Sequence, residues 1–550
     1  MTETPWYIEQ AERAAWEVER LEALDLMVKR EEDGLVLRLH TSVGFHDENL
    51  PIAISFPADY PEAPPSVHAD RLVLERHQER VDFGFCLLAN PETDWNPRRV
   101  AAELIVLLLQ MLRDTEAGSE AVARGEAEMP EPASAYYRHV VGVAALVTEP
   151  FLIREIGISG GTMSLSFNQA GNTLLLRKAE GLGVAPTDLI RRFGDKKQPL
   201  RGMWFAVDVP PNPAQVQSDV LQLLGDRTPS ALPMLVRRRR TARGRDATLW
   251  VGVTFIEEGP TLGEQRRTWV FFEISANKRG APRVKRIAQA QALTKNERAR
   301  RIPELRHLRD LRVLVVGAGS LGGSVALELA KAGVGSLDVV DRDIYDVNNA
   351  VRHVGPVAEA GLAKGTVVAR QCRSLNPFTE SLGHYLYVGS SEEADREALK
   401  ELVAAADIVV DTTGSQVVTR VIQKHCRAAG RQLVVVGLTA GSHGGEIVIL
   451  SPNGACFDCF VLHQADTTIP EPTRGSAHFV TPIGCRHPAF SGAGFDATSL
   501  AADATRAVVR ATGSVGYPPL DFDWGISNFR AQPRWQQGVL RPHPDCHRRH

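Results

Sequence analysis

The chain has 550 residues, with 63 Lys plus Arg against 66 Asp plus Glu and a net charge of −3 at pH 7. That length has room for about three ordinary domains, and so even a charge balance gives no global signal for nucleic acid or a membrane surface. Its seven cysteines are an odd number, too sparse for a disulfide scaffold, which points to thiol or metal chemistry instead.

The first thirty residues are acid-rich and lack an apolar signal core. The longest apolar stretch, AAELIVLLLQML from residue 101, is too short to span a bilayer. The reading is a soluble, cytoplasmic protein. Its first region is 1–145. Ile8, Ala11, Ala15, Val18 and Leu21 fall on one helical face. Two alternating strands come next, Leu35-Leu37-Leu39 and Ile52-Ile54-Phe56. The proline-rich FPADYPEAPP is third and must be extended. A loop then carries Cys86, DWNP succeeds it, and Val100 to Leu112 reads as an apolar helix.

Region 146–295 mixes strand-like runs, TLWVGVTFI and TWVFFEIS, with charged loops, and is read as an α+β linker domain. Its basic run VRRRRTARGRD is read as a solvated surface loop. No motif there carries chemistry.

Region 296–550 opens as a dinucleotide-type fold. Arg312 to Val316 reads as a buried strand, Gly317 to Gly322 (GAGSLG) as a tight turn, Ser320 to Ala332 as a helix and Leu337 to Val340 as the next strand. Glycines 317, 319 and 322 let backbone approach a phosphate, and the helix start offers N–H donors. Asp341 lies about twenty residues beyond, where a ribose-binding acid belongs. These features serve NAD and ATP equally. Three segments downstream favour ATP: RDIYDVNNAVRH, then GLAKG with Lys364, then DIVVDTTGS with Asp411. A redox enzyme has little need of an arginine, a lysine and a second acid around phosphates. An adenylating enzyme uses cations to neutralise phosphate oxygens and an acid to hold Mg2+.

At these residues the chain resembles the ThiF/MoeB/ubiquitin-activating family. That family lines its nucleotide site with an acid, an Asn eight residues later and an Arg three beyond. Asp341, Asn349 and Arg352 match this spacing. The resemblance implies that Lys364 binds phosphate, that Asp411 holds magnesium, and that a homodimer partner lends an arginine, with Arg300 and Arg301 as candidates. CFDC sets Cys456 and Cys459 at metal spacing, and HPDCHRRH adds Cys546 with His543, His547 and His550 nearby. A split structural Zn2+ site would use Cys456, Cys459, Cys546 and one histidine, His550 first among them. Cys485, in TPIGCRHPAF, stands where activating enzymes of this family carry their thioester-forming cysteine, and Arg486 or His487 would favour its thiolate. Cys372 and Cys426 read as core residues.

The first region then resembles the ubiquitin-conjugating fold, with an F-P-x-x-Y-P-x-x-P-P segment, an active cysteine at Cys86, and Trp95 and Pro97 before the next helix. The family's His-Pro-Asn element is absent, and His77 and Asn90 are the substitutes considered. The whole is therefore expected to be α/β: a ubiquitin-conjugating-like α+β domain, a linker domain and a Rossmann-like ThiF/MoeB adenylation domain. This order resembles the bacterial activating–conjugating fusions of CBASS antiphage systems. The resemblance implies ATP-dependent activation of a protein C-terminus, transfer through Cys485 to Cys86 and conjugation to a target lysine. The substrate would be a cGAS/DncV-like nucleotidyltransferase or a small ubiquitin-like protein. The rival readings are a sulfur-carrier activator, a turnover-free binding scaffold and an NAD oxidoreductase.

Overall fold

The first long helix, α1 (Ala11–Glu22), buries a different face from the one its apolar spacing predicts. Ala14, Glu17 and Leu21 are buried, while Ala11 and Ala15 are exposed and Ile8 is 58% exposed. The cause is local. The chain leaves helical geometry at Gln10 (φ −115°, ψ 51°), which resets the helical phase and turns Trp6 and Tyr7 inward in place of Ile8. The protein is described from a computed structural model. It describes residues 4–45, 48–69, 72, 74, 76–78, 83–116, 132–137, 143–168, 170–193, 199–241, 248–259, 264–276, 281–475, 492–513 and 516–548. Among these residues no helix is long and apolar enough to cross a membrane.

The chain forms two units, Met1–Leu293 and Thr294–His550. The first unit begins with a four-stranded antiparallel sheet, β1 (Lys29–Asp33), β2 (Val36–Phe45), β3 (Glu48–Phe56) and β4 (Ser66–His68), in sequence order. The predicted alternation holds: Leu37, Leu39, Ile52, Ile54 and Phe56 share one core with Leu104, Ile105 and Leu108 of α2 (Ala101–Glu116).

A buried polar network ties this sheet and its helices together. Tyr60 Oη donates to Glu17 Oε1, and Arg13 Nη2 donates to Tyr60 Oη at 2.6 Å while lying 2.9 Å from Glu17. Glu17 Oε2 accepts the N–H of Ala101, the first residue of α2, at 2.8 Å. Burial pushes the Glu17 carboxyl above its ordinary value, and these donors oppose it. Removing one member of such a network leaves the others buried and unpaired. Glu17→Ala is expected to cost about 3 kcal/mol in chemical denaturation. A loss under about 1 kcal/mol would show that solvent replaces the carboxylate.

The rest of the first unit is more β-rich than its sequence suggests. Its strands are β5 (Ala144–Val147), β6 (Gly160–Phe167), β7 (Thr173–Ala179), β8 (Gly183–Val184), β9 (Leu200–Ala206), β10 (Thr248–Glu258), β11 (Gln265–Ala276) and β12 (Pro282–Ala292). They run β5-β12-β11-β10-β9-β6-β7-β8, and β5 also pairs with β7, so the sheet closes on itself. Trp204, Trp269, Phe271 and Met163 fill one face, and Val270, Phe272 and Ile274 pack on the other against α3 (Val216–Arg227) and α4 (Ala231–Thr241). Here the basic run departs from expectation: Val236 to Thr241 is the end of α4, not a loop. The rest of the run, 242–246, lies outside the described residues.

The second unit is built on one eight-stranded sheet. Its members are β13 (Arg312–Val316), β14 (Ser336–Asp341), β15 (Glu380–Tyr385), β16 (Ile408–Asp411), β17 (Gln432–Leu438), β18 (Gly444–Leu450), β19 (Trp524–Asn528) and β20 (Trp535–Gly538). The order is β15-β14-β13-β16-β17-β18-β19-β20, parallel through β17 and antiparallel beyond it. The predicted helix stands as α5 (Ser320–Ala332), ended by Gly333 in the left-handed region. Cys372 and Cys426 are buried, as expected of core residues.

Candidate functional site: a nucleotide crevice, a thiol cluster and an exposed cysteine

From β13 the chain steps outward through β14 to β15, then returns to lay β16 on the other flank of β13. The strand order therefore reverses between β13 and β16. In open α/β sheets, ligands bind in the crevice at the carboxyl ends of those two strands. Gly317 follows β13 with φ +94°, and Thr412 follows β16. The Thr412 hydroxyl donates a shared hydrogen bond to the carbonyls of Val316 (3.0 Å) and Gly317 (2.9 Å). A Cβ at Gly322 would sit 1.9 Å from Gly317 O, so that glycine is dictated by the chain's own packing. A Cβ at Gly319, the N-cap of α5, would meet nothing within 4 Å. No described atom packs where that Cβ would stand, so there is room beside the first turn, whose N–H groups have no intrahelical partner.

Asp341 ends β14. Its Oδ2 accepts the Ala318 N–H at 2.6 Å and its Oδ1 the Asp343 N–H at 2.7 Å. Burial pushes its carboxyl up, against the pull of those two N–H groups. Lys364 starts α6 (Lys364–Leu375) and pairs with Asp343 Oδ2 at 2.9 Å. Asn349 lies in the single turn Val347–Val351, where its Oδ1 accepts the Asp346 N–H at 3.3 Å in a reciprocal cap. Arg352 is next, its N–H on Asn349 O at 3.0 Å, and burial draws its guanidinium below the usual range.

His353 is the residue that sequence reasoning passed over. It is buried, its Nδ1 accepts the Gly355 N–H (2.9 Å), and its Nε2 therefore carries the proton donated to Ala318 O (2.7 Å). Tyr345 packs on the ring at 4.7 Å between centroids. The imidazole thus clamps the segment bearing Asn349 and Arg352 onto the glycine turn. The sequence signal was no more than a histidine next to Arg352.

Asp411 ends β16 and is 0% exposed. Its Oδ1 accepts from the Thr413 N–H (2.9 Å) and hydroxyl (2.7 Å), and its Oδ2 from the hydroxyl of Thr419 (2.5 Å) on α7 (Gln416–Ala429). Burial pushes its carboxyl up. A carboxylate has about four acceptor positions, so Asp411, with three donors engaged, keeps one.

The thiol cluster lies at the start of α8 (Phe457–Ala465). Cys456 is its N-cap, and Cys459 sits one turn on. Cys456 Sγ is 3.7 Å from Cys459 Sγ and 3.5 Å from Cys546 Sγ. These separations are too long for a disulfide, about 2.05 Å. They are close to the edge of a tetrahedron with Zn–S bonds of 2.3 Å, about 3.8 Å. Three converging, largely buried sulfurs therefore fit zinc. Among the described residues these three sulfurs form the group by themselves. His550 lies outside the described residues. His543 is turned elsewhere, with Nε2 on Asp466 Oδ2 at 3.0 Å and Nδ1 accepting the Asp545 N–H.

Cys86 is exposed. Its N–H donates to His77 O at 2.8 Å, and the Phe85 N–H donates to Val67 O at 2.8 Å. Trp95 is buried, with Nε1 on Pro61 O at 2.8 Å, and so fastens the chain after Cys86 to the proline-rich segment. Of the two substitutes considered for the missing tripeptide, Asn90 is exposed and makes no side-chain cap. His77 lends its backbone. The side chain that organises the loop is Gln78, which is 2% exposed. It accepts the Leu74 N–H (2.7 Å) and donates to the carbonyls of Leu72 (2.9 Å) and Phe83 (3.2 Å). A glutamine among charged residues gave no sign of this. Cys485 lies outside the described residues. Of the arginine candidates, Arg300 Nη1 lies 3.8 Å from Glu297.

A family model described as the ThiF family matches residues 293–511. The chain is similar to y4oA, an uncharacterised protein of Sinorhizobium fredii, at 27% identity over 529 residues, 88% of this chain and 87% of that one. It is also similar to the sulfur carrier protein ThiS adenylyltransferase of Escherichia coli, at 31% identity over 179 residues, 32% of this chain and 67% of that one. Among solved structures, E. coli MccB matches with a TM-score of 0.34 and 17% identity, over 44% of this chain and 68% of that one.

Proposed function

The chain belongs to the ThiF family, and from that premise we propose that it adenylates the C-terminus of a protein and passes the acyl group onward through its own cysteines. The observation that carries the first half is the open Cβ direction at Gly319, set at the strand reversal among Asp341, Asn349, Arg352, Lys364 and Asp411.

ATP is a substrate in this reading. Its phosphates lie on the first turn of α5, whose N–H groups and positive end receive anions. Asp341 braces the turn and faces the ribose. Arg352 and Lys364 neutralise the phosphate oxygens, and Lys364 gives up Asp343 to do so. A carboxylate oxygen of the partner protein attacks the α-phosphorus. The bond to the β-phosphate bridging oxygen breaks, pyrophosphate leaves, and an acyl-adenylate remains. Asp411 would hold Mg2+, which would supply positive charge to offset that of the phosphates. An arginine from a second copy, Arg300 or Arg301, would complete the site in a homodimer.

The finer reading continues with two exchanges. The thiolate of Cys485 attacks the acyl carbon and AMP departs; the thiol of Cys86 then takes the acyl group; finally a target lysine attacks it and the Cys86 thiol is released. Carrying both thiols on one chain raises the effective concentration of the receiving one. Support for pairing a Cys86 unit with the adenylation unit comes from y4oA, which matches along both. The substrate preferred is a cGAS/DncV-like nucleotidyltransferase in CBASS defence, with a ubiquitin-like protein as the alternative. Resemblance alone supports that choice.

Calorimetry tests the nucleotide half. The full chain should bind ATP with Mg2+ and not NAD. Gly319→Val should keep its melting temperature and lose ATP binding, because its side chain fills only ligand space. Binding of NAD without ATP, or undiminished ATP binding by Gly319→Val, would reject the site.

A further inference from the structure

Ligating residues recur along one face of α8. Cys456, Cys459, His463 and Asp466 are spaced by three, four and three residues, from the N-cap of the helix to its C-cap. The end of the chain answers with His543 and Cys546, also three apart. Cys546 meets Cys456 in the thiol cluster, and His543 meets Asp466 further along the helix. The same two segments are therefore joined twice, once by sulfur and once by nitrogen and oxygen. The second group takes no part in adenylation or thiol transfer as described.

His463, Asp466 and His543 each place a ligating atom within 4.8 Å of the other two. His543 Nε2 is 3.0 Å from Asp466 Oδ2, and His463 Nδ1 is 3.9 Å from the same oxygen. Asp466 Oδ1 accepts the Thr468 N–H at 2.9 Å, so Oδ2 is the oxygen that serves the histidines. His463 fixes its own tautomer. Its Nε2 lies 3.0 Å from the carbonyl oxygen of Arg541 and so carries the ring proton. Its Nδ1 is then a lone pair, buried and without a hydrogen-bond partner among the described residues. That lone pair faces a carboxylate oxygen, and two acceptors attract each other only through a cation. A proton on Nδ1 would not hydrogen-bond across 3.9 Å. A metal ion spans that distance, because Zn–N and Zn–O bonds are each about 2.0–2.2 Å. A ligating histidine commonly gives its other ring N–H to a backbone carbonyl, as His463 does to Arg541.

We propose that His463, Asp466 and His543 bind a divalent ion of the zinc class, separate from any ion at the three sulfurs. Imidazole and carboxylate ligands suit zinc and its first-row neighbours. His543 joins by changing tautomer. Its Nδ1 accepts the Asp545 N–H at 3.0 Å, which leaves the ring proton on Nε2. On binding, Nε2 gives up that proton, Nδ1 takes one up, and the N–H of the exposed Asp545 passes to water. That exchange, and a ligand set without thiolate, make this ion the more weakly held of the two. It washes off in metal-free buffer while an ion at the sulfurs stays.

Untagged full-length chain, dialysed without metal, is titrated with Co2+ and followed by calorimetry and absorbance. Wild type should take up about one ion per chain without a new sulfur-to-metal charge-transfer band. His463→Gln keeps an N–H for Arg541 O, and Asp466→Asn keeps a carbonyl oxygen. Each should weaken that uptake at least about tenfold and leave the melting temperature in metal-free buffer unchanged. No uptake by wild type, uptake seen only with the charge-transfer band, or equal uptake by wild type and a folded variant would overturn the proposal.

Discussion

Cys86→Ala protein, given ATP, Mg2+ and its carboxylate partner, is expected to accumulate a thiol-sensitive ester on Cys485 and to form no conjugate. Cys485→Ala should still release pyrophosphate but carry no thioester at either position. The difference comes from order. In the proposed relay only a thiolate that reaches the adenylate is charged from it, and Cys86 would receive from that thiol. Thioester exchange is nearly isoenergetic, so placement and thiolate fraction set its rate more than driving force does. Removing a nucleophile that forms an obligatory covalent intermediate costs orders of magnitude, and conjugate yield in either mutant should fall at least about 10³-fold. Mass spectrometry of intact protein with and without reductant reads each state. A reductant-sensitive adduct on Cys485→Ala protein would show that Cys86 is charged directly. Conjugation undiminished in Cys86→Ala would favour a sulfur-carrier activator, which has no use for that thiol.

Removing a metal held by the three clustered thiols should be the largest blow to stability. Cys456, Cys459 and Cys546 bring together the start of α8 and the chain's last residues. A metal bound there contributes folding free energy directly, on the order of 10 kcal/mol for structural sites. Elemental analysis should find about one zinc per chain. Cys456→Ser, or a strong chelator, should lower the melting temperature of the second unit by more than about 10 °C. A chain that contains no zinc as purified, and whose melting is indifferent to chelator, would leave three thiols packed for other reasons.

How much was legible depended on whether the signal was local. Leu37, Leu39, Ile52 and Ile54 alternate because one face of the sheet is buried, and that pattern needs no partner to be read. The strand, turn and helix from Arg312 to Ala332 were equally plain, since Gly322 and Gly333 are required by local backbone geometry. The closed sheet was not. Its closure is a pairing of Ala144 with Thr173, which no local pattern announces, and β11 is apolar on both faces because helices cover one side. The α1 face was misread because Glu17, a charged residue, is among its buried members. At the sites, residue types with reactive or ligating atoms were visible, but the polar clamps were not. His353 and Gln78 act on backbone carbonyls, Ala318 O and Phe83 O among them, and any histidine or glutamine looks the same until the fold brings those carbonyls near.

ATP–pyrophosphate exchange reads adenylation by itself, with no acceptor thiol involved. With labelled pyrophosphate, the full chain is mixed in turn with a cGAS/DncV-like nucleotidyltransferase and a small ubiquitin-like protein, each with its native C-terminus. Label should enter ATP only when a carboxylate partner is present. Asp411→Ala and Asp411→Asn should both abolish the exchange, the asparagine variant while keeping a cooperative melt near that of the wild type. Exchange undiminished in a folded Asp411→Asn protein, or no exchange with either partner, would contradict the account.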